Sequence, residues 1–148
     1  MAQTVEAILN RKGAAVVTIQ PAATLGKAAA LLTEHNIGAV VVSSDGTTVE
    51  GILSERDIVR RFAADDGVAT SSVSVSATMT KNVHVVGPGA TVDDLMQKMT
   101  SKRIRHVPVV DGGKLIGIIS IGDVVKNRMD ELEIQTEAMK EYVTGTSY

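Results

Sequence analysis

An internal repeat constrains the fold of this chain more than any other feature of its sequence. Residues 51–59 (GILSERDIV) return as residues 117–125 (GIISIGDVV), and residues 21–25 (PAATL) return as residues 88–92 (PGATV). The first pair is offset by 66 residues and the second by 67, so the first repeat has one extra residue, in the turn at 45–48. A duplication of this kind predicts two equivalent structural units and two equivalent sites.

Composition limits the class of protein. A chain of 148 residues fits one domain or two small ones, and because it is 44% hydrophobic with only 2% aromatic residues, its core is aliphatic. The net charge of -2 argues against broad affinity for nucleic acid or membrane surfaces. The lack of cysteine excludes disulfides and Cys-ligated metals. With no signal-peptide pattern and no apolar stretch of about 20 residues, we expect a soluble, cytoplasmic protein.

Each repeat predicts the order strand, helix, strand, strand, helix, which is an α+β pattern. Thr24 is the expected N-cap of the first long helix and Asn36 its end, while Asp45-Gly46 is a hairpin turn signal. The predicted strands are residues 16–19, 39–42 and 49–53, then 83–86, 107–110 and 115–119. The predicted helices are residues 25–34 and 54–62, then 91–100 and a helix from 120.

Residues 64–76 have the small, polar composition of a linker. Val73, Val75 and Met79 interrupt this composition, and we therefore expect the linker to lie against the fold.

The tail after Val125 has no counterpart in the first repeat. Its apolar positions follow the 4-3-4-3-4 spacing of a coiled-coil seam, weakened by a threonine; they are Val125, Met129, Leu132, Thr136, Met139 and Val143. Two interpretations stay open: a helix packed on its own domain, or a contact between two copies of the chain.

The two halves together resemble a tandem cystathionine-beta-synthase (CBS) domain protein, in its stand-alone form known as a Bateman module. The resemblance rests on residues 104–111 (IRHVPVVD), residues 115–123 (LIGIISIGD), Met79-Thr80 and Pro88-x-x-Thr91, and it covers about residues 4–127. It implies two β-α-β-β-α repeats packed as a pseudo-two-fold pair, here with a C-terminal helix. The whole chain, 1–148, would be one such module: repeat 1 at 14–62, a linker at 63–78, repeat 2 at 79–127 and a helical tail at 128–148.

The duplicated Ser-x-x-Asp pairs, Ser54/Asp57 and Ser120/Asp123, have two interpretations. Serine followed three residues later by an acid is a capping box, which is common at helix starts. Because each pair follows a predicted buried strand, the helix N-terminus could also hold an anion. The resemblance implies that the aspartate binds ribose hydroxyls and that the serine lies beside the ribose and phosphate.

The resemblance also predicts two clefts with different surroundings. The cleft of Asp57 would be cationic and suited to phosphate, and would include Ser54, Arg56, Lys81, Val83, Arg105 and His106. The cleft of Asp123 would be nearly neutral, and would include Val16, Gly38, Ala39, Ser120 and Gly122, with Ala14 and Ala15. In the alternative interpretation, Lys102, Arg103 and Arg105 are a solvated helix end, favoured by the negative end of the helix dipole.

Other chemistries lack their motifs. His35, His84 and His106 have no metal-ligand spacing, and no Gly-x-x-x-x-Gly-Lys-Ser/Thr phosphate loop is present. The sequence gives no sign of a His and Asp partner for Ser54, so we expect no catalytic site. Because the histidines lack metal-ligand spacing, we also expect no bound metal.

The sequence therefore predicts a non-enzymatic sensor that binds an adenine nucleotide (AMP, ADP or ATP) or NAD. Its expected partners are a second copy of the chain and an unidentified target protein, without nucleic acid or membrane. Two alternatives remain: a ligand-independent structural or dimerisation module, and a regulatory subunit of an enzyme or transporter.

Overall fold

The computed structural model describes residues 3–13 and 16–145, and it has the predicted α+β organisation. The first repeat contains β1 (Thr18–Ile19), α2 (Leu25–His35), β2 (Ala39–Val42), β3 (Gly51–Ser54) and α3 (Glu55–Ala64), preceded by α1 (Val5–Lys12). The second contains α4 (Val92–Lys102), β4 (His106–Asp111), β5 (Lys114–Ser120) and α5 (Ile121–Gly145). Two short 3-10 turns, Thr70–Ser72 and Val75–Ala77, lie between the repeats.

The first repeat forms a three-stranded sheet in the order β1-β2-β3. β1 runs parallel to β2, and β2 pairs antiparallel with β3, with Val41 opposite Ile52. All four residues of β2 are buried, as its unbroken apolar run predicts. The predicted helix boundaries are also confirmed: the side chain of Thr24 accepts a hydrogen bond from the backbone N–H of Lys27, and Asn36 ends α2 in the left-handed conformation.

The second repeat departs from the predicted strand order in one place. β4 and β5 form an antiparallel pair, with Val107 opposite Ile119. The strand predicted at residues 83–86 is wrong, because within the described chain this segment makes one parallel bridge, from Val86 to Val109. Gly87 and Pro88 follow immediately, and proline has no N–H with which to extend a ladder.

Helix α1, which the sequence analysis did not predict, completes the core of the second repeat. Val5, Ile8 and Leu9 are at most 8% exposed and pack with the buried face of α4 and the inner faces of β4 and β5. The backbone N–H of Val5 donates to the carbonyl oxygen of Ala90 at 2.8 Å. Leu9 lies so close to Gly117 that a methyl group at this glycine would overlap it.

The linker completes the core of the first repeat, as α1 completes the core of the second. Val75 is fully buried, and Val73 and Met79 pack on the core of the first repeat, which confirms their predicted position. Backbone hydrogen bonds of 2.8 Å join Leu25 to Val73 and Val75 to Ala23. Each repeat is thus completed by the segment that precedes the other repeat.

Helix α5 leaves its predicted seam exposed. It packs on the second repeat through Val124, which is 1% exposed, and Asn127, which is 4% exposed. The apolar seam residues are instead 50% to 67% exposed: Val125, Met129, Leu132, Met139 and Val143. The start of the helix therefore packs on its own domain, but the seam does not take part, and the contact between two copies stays a prediction.

The packing of α1 yields a stability prediction. Leu9→Ala should lower the free energy of unfolding by about 2 to 4 kcal/mol, because it leaves a cavity against Gly117 in the core of the second repeat. Asn10→Ala, at the exposed neighbouring position, is the control and should cost less than about 1 kcal/mol. Urea denaturation measures both, and equal losses would show that α1 does not belong to the core.

Candidate functional site

The two Ser/Asp pairs form capping boxes with the same geometry. At the start of α3, the N–H of Asp57 donates to Ser54 Oγ at 3.2 Å and the N–H of Ser54 donates to Asp57 Oδ2 at 2.9 Å. At the start of α5, the corresponding Ser120 and Asp123 distances are 3.1 and 2.8 Å. The capping interpretation is therefore confirmed for both pairs, and each aspartate lies at a positive helix end.

The Asp57 pair opens into a cavity of about 220 Å³ between the repeats, which we call the Asp57 pocket. One wall comes from β2, β3 and the first turns of α3, and the other from the segment between α4 and β4. Its lining residues are Gly38, Ala39, Ile52, Ser54, Glu55, Arg56, Asp57, Arg60, Thr80, Arg103, Ile104, Arg105 and His106. Asp57, as predicted from the sequence, shares this pocket with Arg56, Arg105 and His106.

The Asp57 pocket has an excess of positive charge. Four arginines (Arg56, Arg60, Arg103 and Arg105) face only two carboxylates, those of Glu55 and Asp57. Across the described residues, the ion pairs involve none of these four arginines. Guanidinium groups without carboxylate partners can bind an anion such as phosphate in bidentate geometry. Arg103 is also the C-cap residue of α4, so the end of this helix forms part of the pocket wall.

His106 lies where the two repeats meet. A methyl group at Gly38 would be 3.4 Å from both Cε1 and Nε2 of the His106 ring. Burial lowers the pKa of His106, and the charges of Lys12 and Arg105 lower it further, whereas Glu55 and Asp123 act in the opposite direction. The net lowering leaves a neutral imidazole at pH 7, with one nitrogen to donate a hydrogen bond and one to accept.

Gly38 and Ala39 line the Asp57 pocket, whereas the sequence analysis assigned them to the Asp123 cleft. The cause is their position in the sheet of the first repeat. Ala39 is paired with Ser54 across β2 and β3, and the N–H of Glu55 donates to Gly38 O at 2.9 Å. Both residues therefore lie beside the capping box of their own repeat.

Charged residues border Asp123, in place of the small, neutral residues that were expected there. Asp123 borders a second cavity of about 350 Å³, the Asp123 pocket, whose lining residues are Ile8, Arg11, Lys12, Asp123, Lys126, Asn127 and Asp130. Lys12 Nζ lies 2.7 Å from Asp123 Oδ2. Arg11 and Lys12 come from the last turn of α1, a helix that the apolar spacing of Val5, Ile8 and Leu9 would have indicated, and Lys126 comes from α5.

Four of the remaining predicted residues line neither pocket; they are Lys81, Val83, Val16 and Gly122. Thr80 lines the Asp57 pocket and pairs with Ile52, but Lys81 and Val83 do not line it. Val16 is half-buried and borders neither pocket, and Gly122 lies in the first turn of α5. Ala14 and Ala15 lie outside the described residues.

Among residues 3–13 and 16–145, no three His, Asp or Glu side chains come together as a metal site. No helix between residues 3 and 145 combines the length and the apolar character needed to cross a membrane.

Comparison with known proteins places these features in a family. The model of the CBS domain matches residues 5–64 and 73–130. The CBS domain-containing protein YhcV of Bacillus subtilis is 35% identical over 116 residues, which cover 77% of this chain and 79% of YhcV. The crystal structure of the CBS-domain containing protein ATU1752 from Agrobacterium tumefaciens has a TM-score of 0.81 and 52% identity, covering 86% of this chain and 95% of that one.

The structure of a third relative contains bound metal ions. Hypoxic Response Protein I, solved with two coordinated zinc ions, has a TM-score of 0.70 and 26% identity, covering 84% of this chain and 98% of its own.

The lowered pKa of His106 predicts a pH dependence of stability. Because the folded protein protonates His106 less readily than the unfolded chain does, the free energy of unfolding should be highest above about pH 6.5 and fall as the pH drops through the folded pKa. His106→Gln should remove this fall. Urea denaturation between pH 7.5 and 5 measures the effect, and parallel profiles for the two proteins would contradict it.

Proposed function

Because this chain belongs to the CBS domain family, we propose that it is a non-catalytic regulatory module that binds an adenine nucleotide in the Asp57 pocket. One observation carries the proposal: four arginines without carboxylate partners surround an aspartate at a helix N-terminus, in a cavity between the repeats. Tandem CBS proteins are regulatory modules that often bind nucleotides, and this arrangement has the groups that such a ligand needs.

Each part of the ligand has a matching group. Asp57 Oδ2 already accepts the N–H of Ser54, so the carboxylate is held in place and its other oxygen can accept a ribose hydroxyl. Arg56 and Arg105 come from different repeats and would bind the phosphate from two sides. The small residues Gly38 and Ala39 let a flat base approach the backbone closely.

The walls of the pocket suggest how binding would be transmitted. Asp57 and Arg56 belong to the first repeat and Arg105 and His106 to the second, so one ligand would join the two. A nucleotide that binds one packing of the repeats more tightly than another shifts the population toward that packing. A target protein or a second copy of the chain would respond to this shift.

Among the ligands considered, a mononucleotide (AMP, ADP or ATP) fits better than NAD. The case for a dinucleotide required a neutral cleft beside the cationic one. Three basic and two acidic residues line the Asp123 pocket, and Lys12 is paired with Asp123, so the described residues offer a charged surface there in place of a small, neutral one.

Calorimetry with AMP, ATP, NAD and S-adenosylmethionine tests the proposal. Asp57→Ala should weaken AMP binding about tenfold or more, and more than Asp123→Ala does, because it removes a charge-assisted hydrogen bond.

Arg105→Gln should weaken AMP binding more than adenosine binding, since adenosine has no phosphate. Arg61→Gln is the matched control, because its guanidinium is paired with Asp65. Absence of binding by all four ligands would overturn the proposal.

Ligand-independent dimerisation is a second candidate function. The observation that favours it is the exposed seam of α5, whose members are Val125, Met129, Leu132, Met139 and Val143. Helix α3 adds exposed apolar area at Val59 and Phe62, which are 64% and 58% exposed. A row of apolar side chains at heptad spacing suits a second copy of the same helix.

The seam can be tested with one matched pair of variants. Leu132 and Ile134 are 60% and 70% exposed on the same helix, but only Leu132 belongs to the seam. Leu132→Glu should therefore convert a dimer to a monomer, while Ile134→Glu should leave it intact, as measured by sedimentation with and without AMP. Loss of the dimer in both variants, or in neither, would contradict the seam, and a dimer that forms only with AMP would favour the sensor.

A further inference from the structure

We propose that Lys12 closes the second of the two duplicated sites, so that the Asp123 site binds a nucleoside only after this lysine leaves. The inference rests on the proposed nucleotide-binding function and makes it more specific. It assigns to one residue of α1 the difference in access to the carboxylate between two aspartates whose capping boxes are otherwise alike.

The two capping boxes differ little except at this lysine. Their hydrogen-bond lengths agree within 0.1 Å between the first repeat, 3.2 and 2.9 Å, and the second, 3.1 and 2.8 Å. Asp57 has no ion pair among the described residues. Asp123 Oδ2, which accepts the N–H of Ser120, also accepts a hydrogen bond from Lys12 Nζ at 2.7 Å.

A second bond fixes the lysine in place. Lys12 Nζ also donates to the carbonyl oxygen of Ile118 at 2.7 Å. The repeat makes Ile118 the counterpart of Ile52, whose carbonyl accepts the backbone N–H of Thr80 at 2.9 Å. The side chain of Lys12 therefore occupies, in the second repeat, a hydrogen-bonding position that backbone occupies in the first.

These bonds compete with a ribose. A ribose diol binds an aspartate by donating one hydroxyl proton to each carboxylate oxygen, and a carboxylate oxygen accepts about two hydrogen bonds. Asp57 Oδ2 accepts one, from the N–H of Ser54, and can accept another. Asp123 Oδ2 already accepts two, from the N–H of Ser120 and from the ammonium of Lys12, so only its Oδ1 remains for the diol. The carboxylate stays ionised: burial raises the pKa of Asp123, but the hydrogen bonds from Lys12 and Ser120 outweigh it and lower the pKa overall. A ligand must therefore displace a charge-assisted hydrogen bond before it can use this oxygen.

The geometry also decides against a role for Lys12 as a free phosphate-binding group. A lysine that is to bind phosphate needs its ammonium available, whereas two of its three N–H groups here point at oxygens of the protein.

The test measures how many nucleoside molecules the Lys12→Met variant binds and with what affinity. Methionine keeps the approximate length of the side chain and removes its charge. Calorimetry with adenosine isolates the ribose and base, because adenosine has no charge for Lys12 to attract. We expect wild type to bind one adenosine tightly, and Lys12→Met to bind a second about tenfold or more tighter than wild type does. Asp123→Asn, combined with Lys12→Met, should abolish the added site.

Lys98→Met is the matched control. Lys98 Nζ also donates to a backbone carbonyl, that of Val85 at 3.0 Å, but it contacts neither capping box. Its loss should leave the stoichiometry and the affinity at wild-type values, and circular dichroism checks that each variant is folded.

The outcomes separate this inference from the proposed function. Two equal sites in wild type, or an unchanged or weaker second site in Lys12→Met, would overturn the role of Lys12 and leave the Asp57 site standing. Binding by Lys12→Met at Asp123, with none at Asp57 in either protein, would support the role of Lys12 and overturn the Asp57 site. If neither protein binds adenosine, the role of Lys12 is overturned, whereas the Asp57 site is overturned only if AMP, ATP, NAD and S-adenosylmethionine also fail to bind.

Discussion

The structure depends on an exchange of packing between its two repeats. The core of the second repeat contains Val5, Ile8 and Leu9, which precede the first repeat in sequence, and the core of the first contains Val75, which precedes the second. Neither repeat has a complete core within its own continuous segment. Since burial of aliphatic side chains is the main force available to a chain with 2% aromatic residues, this exchange joins the two repeats into one module.

The exchange also gives the two clefts their different character. The first is bounded by residues from both repeats and gathers arginines around Asp57. The second borders the end of α1, which brings Lys12 to Asp123 because Leu9, three residues earlier, is packed against Gly117. The inequality of the two sites thus follows from core packing, although the duplicated capping boxes themselves are nearly identical.

Four arginines without carboxylate partners are not explained by stability. Like charges in one pocket repel each other, and surface arginines commonly find acids nearby, as Arg61 finds Asp65 and Arg128 finds Glu131. Four arginines that take part in no ion pair among the described residues lie around one aspartate at a helix start, in a cavity between the repeats. An anion that binds among these arginines lowers their energy, because it offsets their mutual repulsion. The functional proposal therefore rests on the pocket and not on the fold as a whole.

The sequence by itself determined the repeat, the order of its elements apart from α1 and the strand expected at 83–86, and the capping boxes, because these depend on local signals. Thr24, Asn36, Ser54 and Ser120 act within a few residues of their own positions, and the apolar run of β2 shows its burial directly. Proximity within the Asp57 pocket was also predictable for Arg105 and His106, through the resemblance. Only the tertiary structure decided what surrounds Asp123, because Lys12 lies 111 residues away in sequence and reaches it through the packing of α1. Hydrophobic periodicity shows which face of a helix is buried, but not which of two cores receives it.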